Sequence, residues 1–463
     1  MYGRIKQIHL VGIGGAGMSG IAEVLLARGY RVRGSDLKES ETTRRLVAMG
    51  AEIAFGHSAE NLDDANVVVI SSAVPASNPE VIAAKERGIP VIPRAEMLAE
   101  LMRMKYGIAV AGTHGKTSTT SLIASVLTAG GIDPTVVVGG KLRSVGSHAT
   151  LGAGEFFVTE ADESDGSFLL LTPTIAVITN IDPEHLSHYG SMERVLEAYT
   201  TFANKVPFFG VLVACHDHPT LQDLLPSIRR RVMTYGLSAQ ADVRAEELEF
   251  HGSLATFTIV LRGQPLGRVT LRVPGRHNVL NALASIAVAC ELEIPFRAIK
   301  EGLEDFEGVH RRFEIKGDID DVLYVDDYGH HPEEIRATLS AAKGGWKRRV
   351  VAIFQPHRYS RTQELLEDFA RCFNDADVVF VTDIYAAGEK PIEGVSAENL
   401  VAAVRRHGHK NVHHLPDPEA ELAKIEAALE PGDLCLTLGA GNIGRTCDQL
   451  VGRAHERRAR ENA

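Results

Sequence analysis

The chain contains little cysteine, few aromatic residues and no excess of positive charge. Its five cysteines are scattered and form no CxxC pair, which fits a reducing compartment better than a disulfide framework. A formal net charge of −11 argues against broad nucleic-acid binding, which needs a basic surface. No apolar run is long enough to span a membrane, and the amino terminus does not resemble a signal peptide. We therefore expect a cytoplasmic protein.

Short apolar segments alternate with amphipathic ones along most of the 463 residues. This alternation predicts an α/β fold with parallel sheets. Between about 242 and 273 the pattern changes to alternating strands with glycine turns, which predicts an antiparallel insertion. The length and the recurring blocks predict three domains, 1–106, 107–310 and 311–463. The predicted strands are 8–11, 31–34, 67–70, 108–111, 156–159, 175–178, 254–260, 322–325, 350–354 and 434–438.

The first glycine turn, Gly12-Ile13-Gly14-Gly15-Ala16-Gly17, lies between a predicted strand and a predicted helix. Its glycines would let the backbone approach a pyrophosphate at the helix N-terminus. Asp36 ends the second predicted strand, where such folds often carry an acidic residue. The motif predicts nucleotide or nucleotide-sugar binding, but does not choose between NAD and a UDP-sugar. A tight turn that serves only close packing is the alternative.

A second glycine loop, GTHGKT at 112–117, follows the strand predicted at 108–111 and leads into a helix at about Ser118. Backbone N–H groups in such a loop bind phosphates, while Lys116 can reach the terminal phosphates and Thr117 can ligate Mg²⁺. The loop is shorter than the common P-loop, because Val110 stands where that motif has glycine. The combination predicts ATP binding more strongly than a merely structural turn.

Acidic and histidine residues follow two further strands. Glu160 ends one strand and could hold Mg²⁺ opposite Thr117. His185 follows the next strand and could be a second metal ligand, or a hydrogen-bonded structural histidine.

The remaining candidate segments lie further along the chain. Asn278 could pair with an adenine edge or cap a helix. Segments 309–313, 326–332 and 355–361 place arginines and histidines at or near strand ends, where they could bind phosphates and carboxylates or form plain surface.

Eight segments in order resemble the Mur ligase family. They are VGIGGAGMSGIA, GTHGKT, EADESD, TNIDPEH, GRHNVLNA, RRFE, DDYGHHP and FQPHRYSRT, and the match covers essentially the whole chain. The last two are most similar to the alanine-adding member. The resemblance implies a Rossmann-like UDP-sugar-binding domain, a central P-loop ATPase domain and a Rossmann-like C-terminal domain that binds amino acid and ATP.

The resemblance also implies the reaction. ATP would phosphorylate the lactoyl carboxylate of UDP-N-acetylmuramate, and L-alanine would attack the acyl phosphate to give the amide, ADP and phosphate, as a step of peptidoglycan synthesis. ATP serves as co-substrate with Mg²⁺, and two ions are expected. The partners expected are these three small molecules, with no nucleic acid and no membrane insertion. The sequence leaves monomer and dimer open.

The site residues that the resemblance implies form overlapping groups. Those assigned to catalysis are Lys116, Glu160, His185, Arg312 and His330. Those assigned to ATP are Gly112, Thr113, His114, Gly115, Lys116, Thr117, Ser118, Asn278, Arg312 and Asp327. Those assigned to the UDP-sugar are Gly14, Gly15, Ala16, Gly17, Met18, Ser19, Asp36, Ser71, Ser72 and Asn180. Those assigned to alanine and the lactoyl group are Tyr328, His330, His357, Arg358 and Arg361, and those assigned to metal are Thr117, Glu160 and His185.

Three alternatives remain open at this stage. The nearest is a recycling ligase that attaches a ready-made tripeptide to the same sugar nucleotide. A second is an NAD-dependent oxidoreductase that uses the first glycine turn, although it leaves the GKT loop without a role. The third is a nucleotide sensor without catalytic activity.

Overall fold

The computed structural model describes residues 5–71, 73–142 and 147–461. Two compact units are present, the first formed mainly by residues up to 307 and the second mainly by residues from 308 onward. Two short segments, Leu248–Thr256 and Thr270–Val279, belong to the second unit. Within the described residues, no helix has both the length and the apolar character that crossing a membrane requires.

The first sheet has five parallel strands in the order β3-β2-β1-β4-β5. Every side chain of β1 is buried, as expected for a strand covered on both faces. The strand order reverses between β1 and β4, so the turn after β1 opens at the switch point where such sheets bind ligands. The strands are β1 (Gln7–Val11), β2 (Arg31–Asp36), β3 (Glu52–Phe55), β4 (Val67–Ile70) and β5 (Val91–Pro93). The helices are α1 (Ala16–Ala27), α2 (Glu41–Ala48), α3 (Pro79–Glu86) and α4 (Arg94–Met102).

The second sheet has ten strands in the order β15-β14-β13-β12-β11-β10-β6-β9-β7-β8. Its centre is parallel, so the segments after β6, β9 and β10 leave the sheet at one edge. The strands are β6 (Tyr106–Ala111), β7 (Thr135–Leu142), β8 (Ser147–Thr150), β9 (Phe156–Glu160), β10 (Ile175–Ile178), β11 (Val211–Cys215), β12 (Val232–Gly236), β13 (Val243–His251), β14 (Leu254–Leu261) and β15 (Gln264–Leu271). The helices are α5 (Lys116–Ala129), α6 (Leu186–Tyr189), α7 (Met192–Asn204), α8 (Pro219–Leu224), α9 (Arg276–Glu291) and α10 (Phe296–Glu304).

Strands β13, β14 and β15 are neighbours in the sheet and are joined by two-residue connections. Connections this short join only antiparallel strands. Arg262 and Gly263, which join β14 to β15, both have positive φ, as tight hairpin turns require. The insertion predicted between 242 and 273 is therefore present.

The third sheet has six strands in the order β16-β17-β21-β18-β19-β20, parallel except for the edge strand β16. Separate apolar clusters pack on its two faces. The strands are β16 (Glu314–Ile319), β17 (Val322–Asp327), β18 (Arg349–Phe354), β19 (Val378–Val381), β20 (Val412–His414) and β21 (Asp433–Leu438). The helices are α11 (Pro332–Gly345), α12 (Tyr359–Glu364), α13 (Leu366–Phe369), α14 (Ala397–Arg406), α15 (Leu422–Ala428) and α16 (Gly444–Glu461). The predicted α/β class with parallel sheets is confirmed.

Candidate active site

The glycine turn after β1 is held by the end of β2. The Gly14 N–H donates to Asp36 Oδ2 at 2.8 Å, and a Cβ on Gly14 would lie 2.8 Å from the same oxygen. The Ser35 carbonyl accepts the N–H groups of Gly12 and Ile13. Asp36 therefore fixes the shape of the turn, and its carboxylate is engaged by the chain's own backbone.

Most of the other residues assigned to the UDP-sugar lie at the start of α1 or at the end of β4. Gly15 immediately precedes α1, Ala16 and Gly17 are its first two residues, and Met18 and Ser19 are buried within it. Ser71 follows β4 directly, at the same edge of the sheet as the turn after β1. Ser72 lies outside the described residues.

The P-loop joins β6 to α5 with a sharply bent backbone. Gly112 has φ +132°, and a Cβ at this position would overlap the Thr179 hydroxyl. Asn180 fixes the next turn of the loop, because its amide oxygen accepts the His114 N–H at 2.7 Å and its amide nitrogen donates to the His114 carbonyl at 3.0 Å. The Thr113 hydroxyl accepts the Asp182 N–H at 2.9 Å. Asn180, assigned from sequence to the UDP-sugar, thus holds the P-loop in this structure.

Lys116 is the first residue of α5 and points back over the loop. Its Nζ donates to the Gly112 carbonyl at 2.6 Å and lies 2.8 Å from Glu163 Oε2. Burial disfavours the charge on Lys116, but Glu163 and Asp162 outweigh it and raise the pKa of the lysine. Burial raises the pKa of Glu163 to about 7 in spite of the lysine beside it. The sequence interpretation did not assign a role to Glu163.

Thr117 and Glu160 face each other, as the sequence predicted for a pair of oxygen ligands. The Thr117 hydroxyl is hydrogen-bonded to the Glu160 carboxylate, whose Oε1 also accepts the Gly139 N–H at 2.7 Å. Burial raises the pKa of Glu160, and these hydrogen bonds oppose the rise. A hydroxyl and a carboxylate side by side are oxygen donors of the kind that Mg²⁺ prefers. Their chemistry therefore fits one magnesium ion.

His185 lies beside Glu163. Its backbone has φ 58°, in the left-handed region, and it precedes the short helix α6. Its Nε2 lies 3.7 Å from Glu163 Oε1 and 3.9 Å from Glu184 Oε2. Imidazole nitrogen is a less usual ligand for Mg²⁺ than oxygen, so the donor chemistry supports His185 less than Thr117 and Glu160.

Asn278 and Asn281 lie near the start of α9. Asn278 is buried, and its amide nitrogen donates to the Pro274 carbonyl at 2.7 Å. Asn281 accepts the Thr119 hydroxyl at 3.1 Å, and a Cβ on Gly115 would lie 2.6 Å from its Oδ1. Asn281 therefore packs against the P-loop, a contact that the sequence interpretation did not foresee.

In the second unit, Arg312 and Asp327 belong to one polar cluster. Arg312 Nη1 lies 3.3 Å from Glu334 Oε1, and its guanidinium carbon lies 5.1 Å from the centre of the Tyr328 ring. Asp327, buried at the end of β17, accepts the N–H groups of Phe313 and Gly329 at 2.7 Å each. Burial raises the pKa of Asp327, and Arg312 opposes the rise.

A row of aromatic and imidazole rings continues from Tyr328. His330 lies 5.3 Å from Tyr328 and 5.8 Å from His357 between ring centres, and His357 stacks on Tyr385 at 5.6 Å. Burial lowers the pKa of His330 and of His357 to about 4. Because the Tyr328 carbonyl can only accept, His330 Nδ1 at 3.1 Å must be the donor. The neutral ring then carries its lone pair on Nε2.

Arg358 and Arg361 lie at the start of α12, close to these imidazoles. Both guanidinium groups help to lower the pKa of His357, after burial and His330, and Arg361 also acts on His330. Glu389 holds this segment by accepting the Ser360 N–H at 3.0 Å and its hydroxyl at 2.7 Å. The structure thus brings all five residues assigned to the amino-acid site into one cluster.

Two acidic residues absent from the sequence assignments organise these clusters. Glu163 pairs with Lys116, and Glu334 pairs with Arg312 and accepts the His330 N–H at 3.0 Å. Glu334 could have been suspected, since it is the third residue of a helix that opens with proline, where glutamate commonly caps. Glu163 carries no such signal, because it is one of four acidic residues between 160 and 165.

Comparisons with known proteins agree along the chain. Family models match residues 7–106 (Mur ligase family, catalytic domain), 110–289 (Mur ligase middle domain) and 311–441 (Mur ligase, glutamate ligase domain). The UDP-N-acetylmuramate–L-alanine ligase of Geotalea uraniireducens is 58% identical over 451 residues, covering 97% of this chain and 98% of that protein.

Two solved structures extend the comparison. That of UDP-N-acetylmuramate–alanine ligase from Thermotoga maritima superposes with a TM-score of 0.82 at 31% identity, covering 97% of this chain and 99% of the other. A murein peptide ligase from Psychrobacter arcticus shares the fold, with a TM-score of 0.70 at 24% identity over 97% and 98% of the two chains. The chain belongs to the Mur ligase family and has its three-domain α/β architecture, with ATP as co-substrate.

Proposed function

We propose that this chain joins L-alanine to the lactoyl carboxylate of UDP-N-acetylmuramate, with ATP converted to ADP and phosphate, in peptidoglycan synthesis. The observation that carries the proposal is the 58% identity, over nearly the full length of both chains, to a ligase of that name. The described residues supply what the chemistry needs: a P-loop with a charged lysine, an oxygen-donor pair, and a cluster of arginines beside neutral histidines.

The carboxylate must be activated before an amine can attack it, because it is anionic and has no good leaving group. Transfer of the γ-phosphoryl group to a carboxylate oxygen gives an acyl phosphate, from which phosphate can depart. Such a transfer depends on positioning and charge neutralisation more than on covalent help. Lys116 is placed for this role, since it lies over the loop and its charge is favoured by its neighbours. We assign Gly112, Thr113, His114, Gly115 and Ser118 to the same nucleotide, together with Asn278, Arg312 and Asp327.

Thr117 and Glu160 would hold Mg²⁺, which neutralises charge on the triphosphate when it is bound. Their hydrogen bond shows that a hydroxyl oxygen and a carboxylate oxygen already lie together. We assign His185 to a second ion shared with Glu160.

The cluster around α12 suits an amino acid. Arg358 and Arg361 can bind the alanine carboxylate, since guanidinium groups form paired hydrogen bonds with carboxylates. His330 is uncharged and presents Nε2 as an acceptor, so it can receive a hydrogen bond from the amino group without repelling its charge. The ring row of Tyr328, His330 and His357 would pack against the small side chain or the lactoyl group.

The first domain would bind the UDP portion, with Gly14, Ala16 and Gly17 along the diphosphate and Ser71 nearby. The oxidoreductase alternative uses the same turn for NAD. Titration calorimetry with UDP-N-acetylmuramate and with NAD separates the two: the proposal requires binding of the former and no tight binding of the latter. We place the reaction in the cytoplasm, which the five unpaired thiols support.

Phosphate release, measured with UDP-N-acetylmuramate and ATP while each amino acid and the recycling tripeptide are added separately, tests the whole proposal. L-Alanine should stimulate release most strongly. Preference for the tripeptide would establish the recycling activity instead, and no stimulation by any acceptor would favour a nucleotide sensor.

A further inference from the structure

A cavity of about 220 Å³ lies within the first compact unit, between the helices of the first sheet and the strand ends of the second. Its lining includes Gly17, in the first turn of α1, and Arg94, the first residue of α4. It also includes Glu160, the last residue of β9, and Asp162, which lies two residues further on. The cavity therefore connects the glycine turn assigned to the nucleotide sugar with the carboxylate assigned to the phosphoryl-transfer site.

Arg94 occupies a distinctive position in this cavity. Its guanidinium lies against the glycine helix start, where a Cβ on Gly17 would come within 3.0 Å of Nη1. Its Nη2 lies 4.0 Å from Asp162 Oδ2, and the side chain keeps 27% of its surface exposed. Among the described residues that line the cavity, Arg94 is the one cation, and Glu160 and Asp162 supply two carboxylates. A contact of 4.0 Å at a partly exposed site holds the arginine weakly, so an anionic ligand can replace Asp162 as its partner.

The two ends of the proposed substrate indicate which anion would bind Arg94. A nucleotide sugar that reacts near Glu160 while its diphosphate lies at the α1 turn must pass through this cavity. A guanidinium offers paired donors that match phosphate oxygens, which a lysine does not reproduce. We propose that Arg94 is a positioning residue that leaves Asp162 and binds the diphosphate of the nucleotide sugar instead. This inference rests on the proposed function and adds a residue to it.

Titration calorimetry of the full chain with UDP and with UDP-N-acetylmuramate tests the assignment. Arg94→Ala should weaken binding of both ligands by a similar factor, roughly 10- to 100-fold, since one charge-assisted pair is lost. Arg94→Lys should restore part of the affinity, because it keeps the charge without the fork. Arg103→Ala is the matched control: this exposed arginine follows the other end of α4, pairs with Glu100 at 2.9 Å, and should leave binding unchanged.

The same variants separate positioning from a merely structural role. In steady-state kinetics Arg94→Ala should raise the KM for UDP-N-acetylmuramate and leave the KM for ATP near the wild-type value. Unchanged UDP affinity in both Arg94 variants would overturn the inference. Loss of UDP-N-acetylmuramate binding with normal UDP binding would also overturn it, because the arginine would then serve the sugar or lactoyl portion. Should the alanine variant not fold, the lysine variant carries the test. Failure of the wild-type enzyme to use alanine would count against the proposed function alone, since UDP binding is measured independently.

Discussion

Lys116 and Glu163 form an ion pair across the P-loop, with Nζ 2.8 Å from Oε2. The same Nζ donates to the Gly112 carbonyl, so the lysine is held over the loop that would receive phosphates. Glu163 therefore raises the pKa of the lysine and holds it over the loop.

Removal of the positive charge of Lys116 should nearly stop turnover. We expect Lys116→Ala to lower kcat by at least roughly 10²–10³-fold, the cost usually seen when one donor to a developing negative charge is removed. Phosphate release under saturating substrates measures it. Lys300→Ala is the control, because Lys300 forms an ordinary i,i+4 pair with Glu304 on α10 and should leave kcat unchanged. Near-normal turnover in Lys116→Ala would show that the loop is structural.

The metal assignment gives a second prediction. Glu160→Gln keeps the size of the side chain but removes its charge, so the Mg²⁺ concentration needed for half-maximal activity should rise while the melting temperature changes little. His185→Ala should shift the same requirement by a smaller amount, because imidazole is the less favoured ligand. Glu155→Gln, an exposed residue just before β9, makes the same charge change outside the site. Magnesium titrations of the Glu160 and His185 variants that overlay the wild type would remove both residues from the metal site.

Periodicity and glycine turns located the elements well. The strands predicted at 67–70 and 175–178 coincide with β4 and β10, because buried parallel strands are continuous apolar runs bounded by polar turns. Helix α5 begins at Lys116, two residues before the start predicted at about Ser118. The last two residues of the GTHGKT motif therefore belong to the helix and not to the loop. The domain boundaries at 106 and 310 stay predictions.

Side-chain partners were the part that sequence could not supply. Glu163 lies 47 positions from Lys116, and Asn281 lies 162 positions from Thr119. Such pairs form because the strand order brings distant strand ends to one edge of the sheet. A local sequence pattern does not contain the strand order, so it cannot predict these contacts. Asn180 shows the consequence: its motif indicated a ligand contact, while its amide groups bind the loop that carries His114.

Buried histidines predict how stability depends on pH. Burial lowers the pKa of His277 from 6.5 to about 4, with Arg312 adding to the effect. Between pH 6.5 and 4 the unfolded chain therefore binds a proton that the folded chain does not, so stability falls as the pH falls through this window. One such group contributes a slope of up to about 1.4 kcal/mol per pH unit. His330 and His357 act in the same direction.

Thermal melting between about pH 7 and pH 4.5 measures this slope. His277→Gln should flatten it, because the glutamine takes up no proton on unfolding. His455→Gln, at an exposed position on α16, should leave the slope as it is. Identical slopes in wild type and His277→Gln would mean that His277 is not held uncharged by the fold.

The arginines of α12 provide the sharpest test of the amino-acid site. Arg358 immediately precedes α12 and Arg361 lies in its first turn, and both act on the imidazole of His357. A planar guanidinium can bind the alanine carboxylate through two parallel hydrogen bonds, whereas lysine offers a point charge. Arg358→Lys or Arg361→Lys should therefore raise the KM for alanine roughly 10- to 100-fold, the equivalent of about 1.5–3 kcal/mol. Steady-state kinetics in which each of the three substrates is varied in turn give the measurement.

The pattern across the three substrates decides the interpretation. The KM for ATP should stay near the wild-type value, because the P-loop lysine and the oxygen-donor pair are unaltered. A smaller rise in the KM for UDP-N-acetylmuramate is compatible with the assignment, since either arginine can also contact the lactoyl carboxylate. Arg371→Lys supplies the matched control: this arginine lies on the surface after α13, pairs with Glu367 at 3.8 Å, and should change none of the three constants. An unaltered alanine KM in both variants would place the amino-acid carboxylate elsewhere. It would also reopen the choice between the alanine-adding and the tripeptide-attaching ligase.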